Sequence, residues 1–178
     1  AVSSEWEAVN NLQIGGRNYV VLKTIQTGYI NHTNGNVVVN SAHRATDFIP
    51  VTSGVTYTLS ASKSFYYPRF AFYDSNKTFI SGYILSGYRV LPYQITPPAN
   101  AAFIRFSSDI NNGAPVNTWK FEKGDKATDY TLSSEDVQAE IDAAQTTADD
   151  AQLAAEGYMK ARYIRDWIQG STLSTNNV

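Results

Sequence analysis

Apolar and polar positions alternate over short runs through the first 130 residues, and then the period changes. β-Branched and aromatic runs at Tyr19–Ile25, Asn36–Val39, Thr56–Ala61, Arg69–Tyr73, Ala102–Ser107 and Thr118–Glu122 predict strands. Turn residues separate them, at Gly15-Gly16, Thr33-Asn34-Gly35, Ser53-Gly54, Asp74-Ser75-Asn76, Pro97-Pro98 and Asn111-Asn112-Gly113. No segment before residue 131 holds a helical period. Many short strands at this spacing predict a mainly β fold, an antiparallel β-sandwich. Pro50 suits an edge or a turn.

Side chains on a strand alternate between its faces, so facing can be read directly. Phe70 and Phe72 share one face and Arg69, Ala71 and Tyr73 the other. Ile104 and Phe106 face the core, with Arg105 opposite. Trp119 and Phe121 point in, with Lys120 and Glu122 out. Arg69 and Arg105 thereby fall on what would be an open, polar sheet face.

From residue 131 the pattern is helical. Ser133-Ser134-Glu135-Asp136 supplies an N-cap and acids for the first turn. Val137, Ile141, Ala144, Ala148, Ala151, Ala155 and Tyr158 follow a strict 4-3 spacing, which is a heptad seam. An alanine-lined seam buries little area, and such a helix alone in water is marginal. It predicts either packing on its own domain or, the favoured reading, self-association, with a parallel homotrimer as one form. Ala161–Ile168 fits either a continued helix or a strand. The expected organisation is a lead-in at 1–11, a sandwich at 12–130, an alanine-rich helix at 131–158, and a further segment or cut end at 159–178.

Composition sharpens this division. Residues 1–130 hold 20 of the 23 aromatics, with 11 Lys and Arg against 8 Asp and Glu. Residues 131–178 carry 3 Lys and Arg against 8 acids. The overall charge of −2 gives no electrostatic footing for nucleic acid. No apolar run reaches the roughly 20 residues that cross a bilayer. There is no cysteine, hence no disulfide, thiol nucleophile or Cys-based zinc site. Neither end reads as a finished terminus: the chain starts Ala1-Val2-Ser3-Ser4-Glu5 without methionine and closes on a polar run. It reads as a piece of a longer chain.

Chemistry-bearing patterns are sparse. His32 and His43 show no metal-ligand spacing, and no cofactor is expected; a structural calcium ion has no supporting motif. Asp47, Asp74, Asp109 and Glu122 form no obvious carboxylate pair, and Asp74 and Asp109 read as turn residues. No catalysis is expected. The remaining surplus is Tyr and Arg. Sugar C–H faces stack on aromatic rings, and their hydroxyls take hydrogen bonds from Arg and Tyr. The candidate saccharide-binding residues are Tyr66, Tyr67, Arg69, Tyr83, Tyr88 and Arg89, with His43, Arg44 and Arg105 behind them. Tyr57 and Tyr73, inside strand runs, read as structural. The same residue types also suit a protein-binding face.

Several stretches carry a resemblance. Leu12–Tyr19, Asp47–Leu59, Phe70–Lys77 and Ala102–Phe106 resemble carbohydrate-binding-module-like domains of tail and baseplate proteins of phages infecting Gram-positive bacteria. Lys120-Phe121-Glu122-Lys123-Gly124-Asp125-Lys126-Ala127-Thr128-Asp129-Tyr130, followed by Ser134–Val137 and the alanine helix, is the most specific part. The resemblance implies a galactose-binding-like jelly-roll sandwich followed by the helix. It implies a non-catalytic role in the virion, adhering to host cell-wall or surface polysaccharide alongside other tail proteins. The alternative is a structural assembly module that trimerises through the helix without binding sugar.

Overall fold

The computed structural model describes residues 16–174, with side chains through Gln169. The expected lead-in at 1–11 and the Leu12–Gly15 part of the sandwich lie outside the described residues, as do residues 175–178. The chain forms two units, residues 1–136 and 137–178.

The first unit is built from thirteen short strands. They are β1 (Gln26–Thr27), β2 (Tyr29–Ile30), β3 (Val37–Val38), β4 (His43–Ala45), β5 (Ile49–Pro50), β6 (Tyr57–Ser60) and β7 (Phe65–Tyr66). Then follow β8 (Arg69–Tyr73), β9 (Phe79–Ile84), β10 (Tyr88–Arg89), β11 (Tyr93–Ile95), β12 (Phe103–Asp109) and β13 (Lys120–Lys123). One sheet runs β1-β4-β12-β8-β9, with β5 also pairing β12; the other runs β11-β6-β13. Two ribbons, β7 with β10 and β2 with β3, complete the set, and every pairing is antiparallel. Pro50 pairs Phe103 on the short edge strand β5, where its missing N–H is tolerated.

The core lies between the two sheets. Phe70, Phe72, Ile104 and Phe106 come from one, Tyr57, Leu59, Ile95 and Phe121 from the other, with Trp119 and Phe65 filling the end. The alternation therefore holds on β8, β12 and β13. Asp74 also makes its turn: Oδ1 accepts from Asn76 N at 2.8 Å and Thr78 N at 2.9 Å, between β8 and β9.

The outer faces are not open, and here the structure corrects the strand reading. The β2–β3 ribbon packs over the large sheet, and Ile30, Ala45, Ala71 and Tyr73 form a second apolar cluster with Phe48 and Phe103 against it. Arg105, on the same face, is buried at 6% exposed. Its guanidinium lies 4.8 Å from the Phe48 ring centre and donates to Thr46 O and Gln26 Oε1. The small sheet is roofed by residues 124–131. Lys120 and Glu122 point outward from the core but are each 1% exposed, paired at 3.5 Å beneath this strap. Thr128 donates N–H and Oγ1–H to the Glu122 carboxylate, at 2.8 and 2.6 Å. Lys120 Nζ donates to Thr128 Oγ1 and Asp129 O. Gly16 is required here, since a Cβ would sit 2.1 Å from Glu122 Oε2.

Tyr19–Ile25 is likewise not a strand. It ends in a 3-10 turn at Leu22–Thr24. Its amides are satisfied elsewhere: Leu22 N and Lys23 N donate to the Asp136 carboxylate at 2.8 and 3.2 Å. Asn18, buried, donates to Trp119 O and Thr131 O and accepts from Val20 N and Phe121 N.

The helix α1 spans Ser134–Ser174, 41 residues. Ser133 caps it, its Oγ accepting from Asp136 N at 3.0 Å. Of the two readings for Ala161–Ile168, helix is the one formed. Gln138, Gln145 and Gln152, seven residues apart, donate to Asp142, Asp149 and Glu156 one turn on.

Candidate functional site: a tyrosine platform

The nine sequence-selected residues fall into separate groups. Tyr66, Tyr67 and Tyr88 come together. Tyr66 and Tyr88 are opposite each other across the β7–β10 ribbon, with ring centres 4.6 Å apart, and Tyr67 meets Tyr66 edge-on at 4.8 Å. The local fold explains this. Phe65 turns into the core at 0% exposed, so Tyr66 and its partner Tyr88 face the other way. Tyr67 has φ 46° and its N–H donates to Gly87 O at 2.9 Å, a left-handed corner that swings its ring onto the pair. Non-glycine residues rarely hold such a backbone, and such strain concentrates at functional positions. Tyr67 is 37% and Tyr88 63% exposed.

Next along the chain, Arg69 and His43 form a second group around Tyr29. The Arg69 guanidinium lies over the Tyr29 ring at 4.2 Å, and His43 meets that ring edge-on at 5.4 Å. Asp109 sits opposite His43 in the β4–β12 register. Its carboxylate is occupied by its own turn, accepting from Asn111 N, Asn112 N and Asn112 Nδ2. Although burial opposes its ionisation, the Asn112 and Asn111 bonds and nearby His43 hold its pKa below the ordinary value. Burial, then the Arg69 charge, pushes the His43 pKa down, so this imidazole is biased toward neutral. Burial also lowers the Arg69 pKa. Ser108, the residue before Asp109, holds the platform strand through that strand's backbone: Ser108 Oγ accepts from Tyr66 N at 3.1 Å.

The remaining candidates lie apart. Tyr83 stacks on Phe70 at 4.9 Å and bonds to Tyr93; burial and that bond push its pKa well up, as for an interior hydroxyl. Arg89, on the opposite side of β10 from Tyr88, lies over Tyr93 at 4.9 Å. Arg44 donates to Ser41 O and His43 O. Tyr29, which completes the Arg69 group, escaped the sequence reading. Its strand is two residues long, and only its two-residue pairing with β3 marks it.

A separate recess of about 270 Å³ is lined by Arg17, Tyr19, Asp47, Phe48 and Glu135 among others, and none of the nine residues borders it. Among the described residues, no group of three or more His, Cys, Asp or Glu is placed to hold a metal ion. No helix among the described residues is long and apolar enough to cross a membrane.

No protein-family profile matches the chain. A tail fibre protein of Enterococcus phage phiEF24C is 34% identical over 159 residues, covering 86% of this chain and 8% of that protein. The chain thus spans under a tenth of the relative's length. Over most of its length the chain is similar to one stretch of a phage tail fibre protein.

Proposed function

We propose that this chain is a non-catalytic, saccharide-binding domain of a phage tail fibre, acting outside the host cell as part of the virion. The observation that carries the reading is the tyrosine platform. Three adjoining rings, two of them exposed, lie on and beside a two-stranded ribbon and combine aromatic faces with phenol hydroxyls. A sugar ring stacks its C–H face on such a surface and offers its hydroxyls to the rim. Similarity to a tail fibre protein supplies the context, and host wall or surface polysaccharide the occupant. Enterococcal cell walls in a pull-down test this. Tyr66→Ala, Tyr67→Ala and Tyr88→Ala should each weaken binding; unchanged binding across all three would remove the site.

A second reading concerns the helix. On the 4-3 spacing, the acids of residues 140–156 fall off the Val137–Tyr158 seam. Val137 and Ile141 are 41% and 55% exposed in the single chain. Copies aligned in parallel would bring alanine faces together without opposing like charges on the seam. The next two seam places are Arg162 and Arg165, which end it. Sedimentation equilibrium of the whole chain and of Ala148→Asp tests assembly: a trimer that the variant dissociates supports it, and a monomeric parent overturns it.

A further inference from the structure

We infer that the occupant of the tyrosine platform carries an anionic group, and that Arg69 with His43 receives it. The inference rests on the saccharide reading of that platform and adds the chemistry of the ligand.

A guanidinium has five N–H donors and no acceptor. Arg44 and Arg105 give donors to backbone oxygens, and Arg17 is paired with Glu135. Among the described residues the Arg69 guanidinium makes no side-chain hydrogen bond or ion pair; it lies over the Tyr29 ring face with the Asp109 charge nearby, and Arg89, over Tyr93 with a buried unpartnered Nε, is the other arginine so placed. The Arg69 Nη1 is buried and unpartnered. His43 is 9% exposed, and its Nε2 is also buried and unpartnered, while Nδ1 contacts Asn40 Oδ1 at 3.1 Å. Buried polar atoms without partners are rare in folded proteins, and these two flank the same ring.

The adjacent Asp109 carboxylate answers them through its charge, which acts to raise the pKa of both, but with no hydrogen bond, since the bonds to its two oxygens come from the Asn111-Asn112 turn. The β7–β8 corner thus holds a cation whose geometric partner is missing, two residues from Tyr67. Planar guanidinium groups recognise phosphate and carboxylate oxygens in pairs, and partial desolvation strengthens that contact. Stacking on Tyr29 fixes the plane of the guanidinium before a ligand arrives, so less conformational freedom is lost on binding. A neutral glycan would give these donors only uncharged acceptors, whereas an anion adds charge to the hydrogen bonds.

The test uses the whole chain and enterococcal walls in three forms: untreated, stripped of phosphate with hydrofluoric acid, and amidated at carboxylates with carbodiimide. Arg69→Gln and Arg69→Lys are measured beside Tyr88→Ala, with thermal unfolding to confirm folding. The expected result is binding about tenfold or more weaker on one treated wall, and an equal loss for Arg69→Gln on untreated wall. Arg69→Lys should recover part of it, as a point charge without the paired geometry. Which treatment acts tells phosphate from carboxylate. If Tyr88→Ala weakens binding while both treated walls bind like the untreated one, the anion is refuted and the saccharide platform stands. Unchanged binding by a folded Arg69→Gln refutes the assignment to Arg69. If the parent chain binds no wall, both fall together. Should Arg69→Gln unfold, His43→Gln replaces it, with the same loss expected and unchanged binding counting against the pair.

Discussion

Replacing Glu122 with alanine should destabilise the sandwich severely, although no apolar core contact is touched. Lys120 and Glu122 are each 1% exposed, and Glu122 accepts from Thr128 N and Oγ1 as well as facing Lys120 Nζ at 3.5 Å. Alanine leaves an ammonium buried with only Thr128 Oγ1 and Asp129 O beside it, and leaves the Thr128 N–H without its acceptor. Breaking a buried pair at one partner costs about 3–5 kcal/mol, far above the net worth of the pair itself. For a unit of this size that lowers Tm by about 10 °C. Urea and thermal unfolding followed by circular dichroism measure it. Lys120→Met with Glu122→Leu removes both charges together, and should cost much less than the two single changes added. A loss under about 1 kcal/mol for Glu122→Ala, or strict additivity in the cycle, would refute the reasoning. The platform belongs to other strands, so wall binding per folded molecule should persist.

Tyr67→Gly separates strain from function: it relieves the φ of 46° and should leave stability equal or higher by up to about 1 kcal/mol, while wall binding falls. Stability and pull-down measured together check this. Tyr88→Ala, at a ring 63% exposed, should leave Tm within a few degrees yet weaken wall binding about fivefold, as one stacking ring of about 1 kcal/mol implies. Asp136 answers to pH. Burial raises its pKa, but bonds from Ser133, Leu22 and Lys23 outweigh this and hold it below the ordinary 3.8. Its stabilisation is therefore full above that value and lost as pH falls through the lower folded pKa. Urea midpoints taken from neutral to acid pH should fall less steeply in Asp136→Asn.

Alternation made the inner faces of β8, β12 and β13 legible because a strand must place Phe70 with Phe72 and Phe121 with Trp119. The same rule says nothing of what covers the other side. Arg105 and the Lys120–Glu122 pair look solvated on their strands, and only distant segments, Gln26 with Thr46–Phe48 and residues 124–131, bury them. Turn-rich Tyr sequence singled out Tyr66, Tyr67 and Tyr88 among nine candidates, but not that these three meet, since β7 and β10 are two residues each and carry no register signal. Tyr19–Ile25 misled for a related reason: β-branched composition suits extended backbone, yet Asp136, more than 110 residues away, claims the amides. Heptad spacing was plain because local period alone defines it.

The tie between residues 16–23 and 128–136 carries a mechanical consequence. Gly16 N, Asn18, Leu22 N and Lys23 N all bond to that later stretch. The chain therefore comes into the sandwich and leaves it side by side. Tension drawn along a longer fibre through this unit would load these few bonds first. Such a load would pass between residues 16–23 and 128–136 without having to unzip the β8–β12 or β6–β13 ladders.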